Sequence, residues 1–111
     1  VPGYSNDEKL VLAKDYIVPE ILKQYNLNIG DIIFNNEILK HIINNVPKED
    51  GVRNLKRAIN NIISWVNMMR YVPTDSVKII LPYTVSINFY NKYCKYNNVN
   101  DYDKNLHHLY L

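Results

Sequence analysis

Between Gly51 and Pro73 the apolar residues Val52, Leu55, Ile59, Ile62, Val66 and Met69 recur at alternating steps of three and four. Only an α-helix brings such positions onto one side, and Ile63 widens the stripe over about five turns. The opposite side carries Asn54, Lys56, Asn60, Asn61 and Asn67. A helix so divided must bury one side and wet the other. The rest of the chain has to supply the cover, which makes the expected fold mainly α.

The flanking segments are consistent with that. Ser5-Asn6-Asp7-Glu8 has the spacing of a capping box, with two acids suited to the positive end of a helix. Leu10, Ala13 and Ile17 then form an apolar stripe. Pro19 ends or bends this helix, or opens a short second one carrying Ile21, Leu22 and Tyr25. Asn26 to Gly30 reads as a loop, and Asp31 to Phe34 as a brief strand. A further helix, capped by Asn35 or Asn36, holds Ile38, Leu39, Ile42, Ile43 and Val46, and Pro47 through Asp50 breaks it. Val77 to Leu81 reads as a second strand pairing with the first. A last helix from about Ser86 to Tyr96 places Ile87, Tyr90 and Cys94 on one side. The sum is four to five helices with a small two-stranded β patch; two short strands alone are marginal and must lean on the helices. The expected division is a domain over residues 1–97 and a polar tail or linker over 98–111.

At 111 residues the chain is one domain by length. Thirteen basic against 11 acidic side chains give a net charge of +2, too balanced to argue by itself for nucleic acid or an anionic membrane. No apolar run approaches the ~18 residues of a membrane span, and no amino-terminal signal is evident. A first residue of Val1 suggests a piece of a longer protein. Cys94 alone forms no internal disulfide, which fits a reducing, intracellular compartment. The ten tyrosines accompany abundant Asn, Ile and Lys, a bias that AT-rich coding also produces, and carry no functional weight.

Little in the chain suggests chemistry of its own. His107-His108 lacks a third ligand at a characteristic spacing, so a solvated tail is the better reading and no metal is expected. His41 falls on the polar side of its helix with no evident partner. Cys94 beside Tyr90 reads as a buried structural thiol. Nucleophile elbows, zinc-helix pairs and phosphate loops are absent, so no catalytic residue is assigned. Arg53, Lys56 and Arg57 are different. Basic residues are mildly unfavourable in a helix's first turn, where free N–H groups and the dipole already attract anions. A guanidinium there suits a phosphate, whether of a nucleotide or of a DNA backbone. On residues alone, an anion site and a solvated basic turn stand about even.

Two segments in register carry a resemblance. Gly3-Tyr4-Ser5, Glu8-Lys9, Ala13-Lys14 and Ile17-Val18-Pro19 form one; Gly51-Val52-Arg53-Asn54-Leu55 with Arg57 forms the other. Together they resemble the small α-helical lid of the AAA+ module in Lon-type ATP-dependent proteases, over about Pro2 to Tyr71. The resemblance implies that Arg53 is the sensor-2 arginine reaching the γ-phosphate of ATP, and that Tyr4 and Ile17 lie near the adenine. Lys56 and Arg57 would be further anion contacts. It implies ATP with Mg²⁺ as cofactor, held mainly by a large AAA+ subdomain upstream, and a Ser-Lys proteolytic pair downstream. The partners implied are those two domains, protein substrates and a homo-oligomeric, hexameric ring. The compartment would be cytoplasm or mitochondrial matrix, and the isolated fragment would be inactive. The sequence departs from the pattern at Lys56, where the family has Glu, and at Pro47-Lys48-Glu49-Asp50, where Asp50 could pair with Arg53. The rivals are a nucleic-acid module using Arg53, Lys56, Arg57 and Lys48 on phosphates, and an interaction domain that no longer senses ATP. The lid of another AAA+ machine is a further alternative, disfavoured by Gly3-Tyr4.

Overall fold

The computed structural model describes residues 3–95. The expected tail at 98–111, His107-His108 and the end of the last helix at Tyr96 lie outside the described residues.

The chain begins with a helix cap of the expected kind. Ser5 Oγ accepts from the Glu8 N–H at 3.1 Å, and Glu8 Oε1 accepts from the Ser5 N–H at 2.9 Å. Helix α1 (Asn6–Leu12) then runs into a π turn (Ala13–Ile17) and on into α2 (Val18–Gln24) without a break. Pro19 therefore does not stop the chain's helical course. In a regular α-helix its ring would meet the carbonyl four residues back. The π turn widens the ladder at that point, with the Val18 N–H reaching back to the Ala13 carbonyl. Helix α2 ends in a Schellman arrangement. Asn26 is left-handed (φ 58°), its N–H donates to Lys23 O, and the Leu27 N–H donates to Leu22 O.

Helices α3 (Asn36–Asn45) and α4 (Arg53–Met69) follow β1 (Ile32–Ile33). Strand β2 is Tyr83–Thr84 and pairs parallel to β1, in the register Ile32 to Tyr83 and Ile33 to Thr84. Both helices lie in the connection between the strands, as a parallel pair requires a long crossover. The second strand is thus not at Val77 to Leu81. The Ile79 N–H is used on Met69 O at the end of α4, and Val77 closes a tight turn with Thr74 around left-handed Asp75 and Ser76. With that backbone committed, pairing moves to the next β-branched and aromatic residues. The described residues end with a short helix α5 (Ile87–Phe89), capped by Ser86 Oγ, and a second π turn (Tyr90–Cys94).

The seam of α4 is the centre of the core. Leu55, Ile59, Ile62, Ile63, Val66 and Met69 are all at most 1% exposed, while Val52 is half-buried. Around them pack α2, the first π turn, α3 and the closing π turn. Cys94 and Tyr90 lie in this core as expected, and Trp65, Tyr93, Phe89 and Tyr83 extend it as a chain of ring contacts 5.0 to 5.7 Å apart. His41 does have partners. Its ring meets Tyr90 edge-on at 5.5 Å, and Nε2 lies 3.3 Å from Asn91 Oδ1, a pairing that only the folded chain brings together.

Two predictions follow from this core. Ile59→Ala removes a side chain with no exposure and should cost about 2–5 kcal/mol in urea unfolding; a loss below about 1 kcal/mol would mean the seam is misplaced. Burial pushes the Cys94 thiol up from 9.0 to about 12. Because the folded value is the higher one, the thiol's contribution to stability is whole below pH 9 and is lost as pH rises towards 12. Stability should therefore fall in that window, and Cys94→Val should flatten part of the slope; an unchanged slope would show the thiol is not desolvated.

Candidate functional site

A helix start leaves N–H groups unsatisfied, and Val52, at the cap of α4, has no side-chain oxygen to meet them. Glu49 supplies the missing acceptor. Its two carboxylate oxygens accept from the Asn54 N–H at 2.7 and 3.0 Å, and one also accepts from the Leu55 N–H at 3.1 Å. Its charge also offsets the positive end of the helix dipole. The premise that this helix start offers its backbone to an outside anion is corrected accordingly: the chain already places a carboxylate there. An external anion would find the Asn54 and Leu55 N–H groups already taken.

Glu49 is itself held. Lys9 Nζ donates to the Glu49 carbonyl, and Lys9 is 8% exposed, the one buried charged side chain among the described residues. One residue on, the Tyr4 N–H donates to Asp50 O at 2.9 Å. The two segments meet closely at Gly3, where a Cβ would lie 2.7 Å from that of Asp50. Only glycine fits there. The amino-terminal segment and the α3–α4 connection are thus stapled together by two hydrogen bonds and a close backbone approach.

The residues singled out by sequence divide around this staple. Arg53 is the first residue of α4 and is exposed. Among the described residues it forms no ion pair, with Asp50 or any other acid; the pair that does form, Lys92 with Asp75 at 3.4 Å, lies elsewhere. Arg53, Lys56, Arg57 and Asn60 share one side of α4 by their three- and four-residue spacing. Lys56 and Arg57 edge a groove of about 390 Å³ with Ile17, Glu20, Ile21, Gln24 and Asn60. Ile17 forms part of its apolar wall. Tyr4, 49% exposed, instead lines a second groove of about 600 Å³ with Lys9, Asn44, Val46 and Lys48. The fold therefore joins Ile17 to Lys56 and Arg57, and joins Tyr4 to the staple, with Arg53 outside both linings.

Lys9 and Glu49 were missed by sequence reasoning. Lys9 did carry a signal: it stands four residues before Ala13 and eight before Ile17, on the apolar side of α1. The signal for Glu49 was an acid placed shortly before a helix whose cap position lacks a side-chain acceptor. Among the described residues no three His, Cys, Asp or Glu side chains gather to hold a metal ion, and no helix is long and apolar enough to cross a membrane.

Comparison with known proteins converges on one family. Residues 23–73 match the family model of the Lon protease AAA+ ATPase lid domain. A Lon protease of Trichlorobacter lovleyi is 44% identical over 62 residues, 56% of this chain and 8% of the relative. One from Chlamydia trachomatis is 41% identical over 64 residues, 58% of this chain and 8% of the relative. A mitochondrial Lon protease homologue of Debaryomyces hansenii is 36% identical over 68 residues, 61% of this chain and 6% of the relative. The match thus spans less than a tenth of each relative's length.

Proposed function

We propose that this chain, which carries a Lon-protease-type AAA+ lid, senses the phosphates of a nucleotide through Arg53 and passes that state to the domains around it. The observation that carries this is an exposed guanidinium on the first turn of the best-packed helix, with no acidic partner among the described residues. Such a group is available to an incoming phosphate, and its fork donates to phosphate oxygens bidentately. Since Glu49 occupies the Asn54 and Leu55 N–H groups of this turn, the reading gives phosphate contact chiefly to side chains, with Arg53 foremost and Lys56 and Arg57 one turn on. The apolar wall at Ile17 and the exposed ring of Tyr4 offer surfaces for a flat, uncharged base.

ATP with Mg²⁺, when held by a large AAA+ subdomain of the same parent, supplies the phosphoryl transfer and the free energy. The residues of this chain bind and report. Arg53 makes a contact that exists with a terminal phosphate and is lost without one, and only such a differential contact can shift a two-state equilibrium. Because α4 is the centre of the core, a pull on its first turn moves the lid as one rigid body. In the parent, that motion would work a ring of subunits, hexameric as the resemblance implies, feeding protein substrates to a protease domain. The similarity to bacterial and mitochondrial Lon relatives supports cytoplasm or mitochondrial matrix as its place.

The test is Arg53→Ala in the full-length protein. ATP hydrolysis and casein degradation should both fall by more than about tenfold, with the melting temperature retained, as for other arginines acting on phosphoryl charge. Unchanged ATP hydrolysis would refute the sensing role. Salt-dependent DNA binding that is indifferent to nucleotide would instead move these cations to a nucleic-acid backbone.

A further inference from the structure

We infer that Glu49 is a positioning residue for Arg53 and that Lys9 holds Glu49 in place, so that the sensor's aim is set from the amino-terminal helix. The inference rests on the reading of Arg53 as a phosphate sensor and names the device that orients it.

The first turn of a helix is where fraying begins, and α4 enters this turn without a side-chain cap at Val52. Arg53 sits in that turn. The two N–H groups that follow it, those of Asn54 and Leu55, are the ones bound by the Glu49 carboxylate. The next, that of Lys56, closes back on Val52 O at 2.8 Å. The backbone of Arg53 is therefore fixed by bonds on both sides, although its side chain has no ion pair among the described residues. A fixed Cα restricts where a guanidinium can reach, and a group oriented beforehand loses less entropy when it meets its ligand.

Glu49 cannot provide this alone, since it belongs to the connection between two helices. Lys9 supplies the anchor. A buried ammonium is costly unless it is hydrogen-bonded, so the bond from Lys9 to the Glu49 carbonyl is the arrangement that its burial demands. Lys9 lies one turn into α1, directly after the segment in which Tyr4 binds Asp50. A shift of α1 would thereby carry Glu49, and with it the first turn of α4. The carboxylate has a second effect. It takes two N–H groups of this turn away from an incoming phosphate, so discrimination between nucleotides rests chiefly on a side chain that can engage or disengage.

The experiment compares wild type, Glu49→Gln, Arg53→Ala and the double variant of the full-length protein. ATP hydrolysis is resolved into kcat and KM, ADP affinity is measured by competition, and thermal melting checks the fold. Glu49→Gln keeps the size and one acceptor but removes the charge and the second acceptor. It should lower kcat about threefold to tenfold, in line with the loss of a helix cap, while ADP affinity stays the same. In the Arg53→Ala background it should have no further effect on kcat, because there is then nothing left to aim. Lys9→Met, which keeps the apolar stem and loses the bond, should act in the same direction. It carries the same comparison if Glu49→Gln fails to fold. If Arg53→Ala is defective but the Glu49→Gln loss multiplies on top of it, or if ATP and ADP affinity fall together, Glu49 is merely structural and only this inference is overturned. If Arg53→Ala leaves hydrolysis unchanged, the sensing role falls and this inference with it.

Discussion

Burial of one side of α4 is the constraint on which everything else depends. Six of its side chains are at most 1% exposed, and no single neighbouring helix could enclose them. The chain solves this by wrapping. The α1–α2 run passes one flank, α3 another, and the closing π turn completes the enclosure. Helix α3 and the closing π turn are too short to be stable alone, so they borrow order from the seam. The two-residue strands show the same dependence, being held by hydrogen bonds from Tyr83 to Asp31 and from Val85 to Ile33 beside an already formed helical core.

A helix buried along its length still has an end that must be satisfied. At α4 that end is also where the exposed cations begin. Glu49 meets both needs at once, accepting from two N–H groups and balancing a turn rich in positive charge. This settles an electrostatic question raised by Arg53, Lys56 and Arg57, since bases at a positive helix end need a counter-charge from somewhere. The counter-charge is internal. What remains outward is the Arg53 side chain, exposed and without an ion pair among the described residues.

The periodic parts of the chain were legible because period is a local property. The α4 seam, the α3 stripe and the Ser5–Glu8 capping box could be read from spacing, and each is present in the structure. The likeness to Lon-type lids was legible from two short motifs, Gly3-Tyr4-Ser5 and Gly51-Val52-Arg53-Asn54-Leu55. The structure shows how they meet: Gly3 is needed where the backbone passes Asp50, and the second motif opens α4. Less legible were places where two rules competed. At Pro19 the rule that proline interrupts a helix met the chain's capacity to widen one turn. At Val77 to Leu81 a β-like composition lost to a backbone already engaged with the end of α4.

By itself the sequence determined the helical class, the buried side of the longest helix, its capped beginning and the family likeness, because these depend on residues a few positions apart. Tertiary structure alone decided which strand residues pair, and that His41 meets Asn91 across 50 residues. It also decided that Lys9 reaches the carbonyl of Glu49 across 40. Those contacts join segments distant in sequence, and a hydrogen bond or an ion's desolvation depends on where groups stand in space. Whether Arg53 is free or paired was a question of the same kind. Asp50 lies three residues away in sequence, yet among the described residues the fold binds its carbonyl to Tyr4 and leaves the guanidinium without an ion pair.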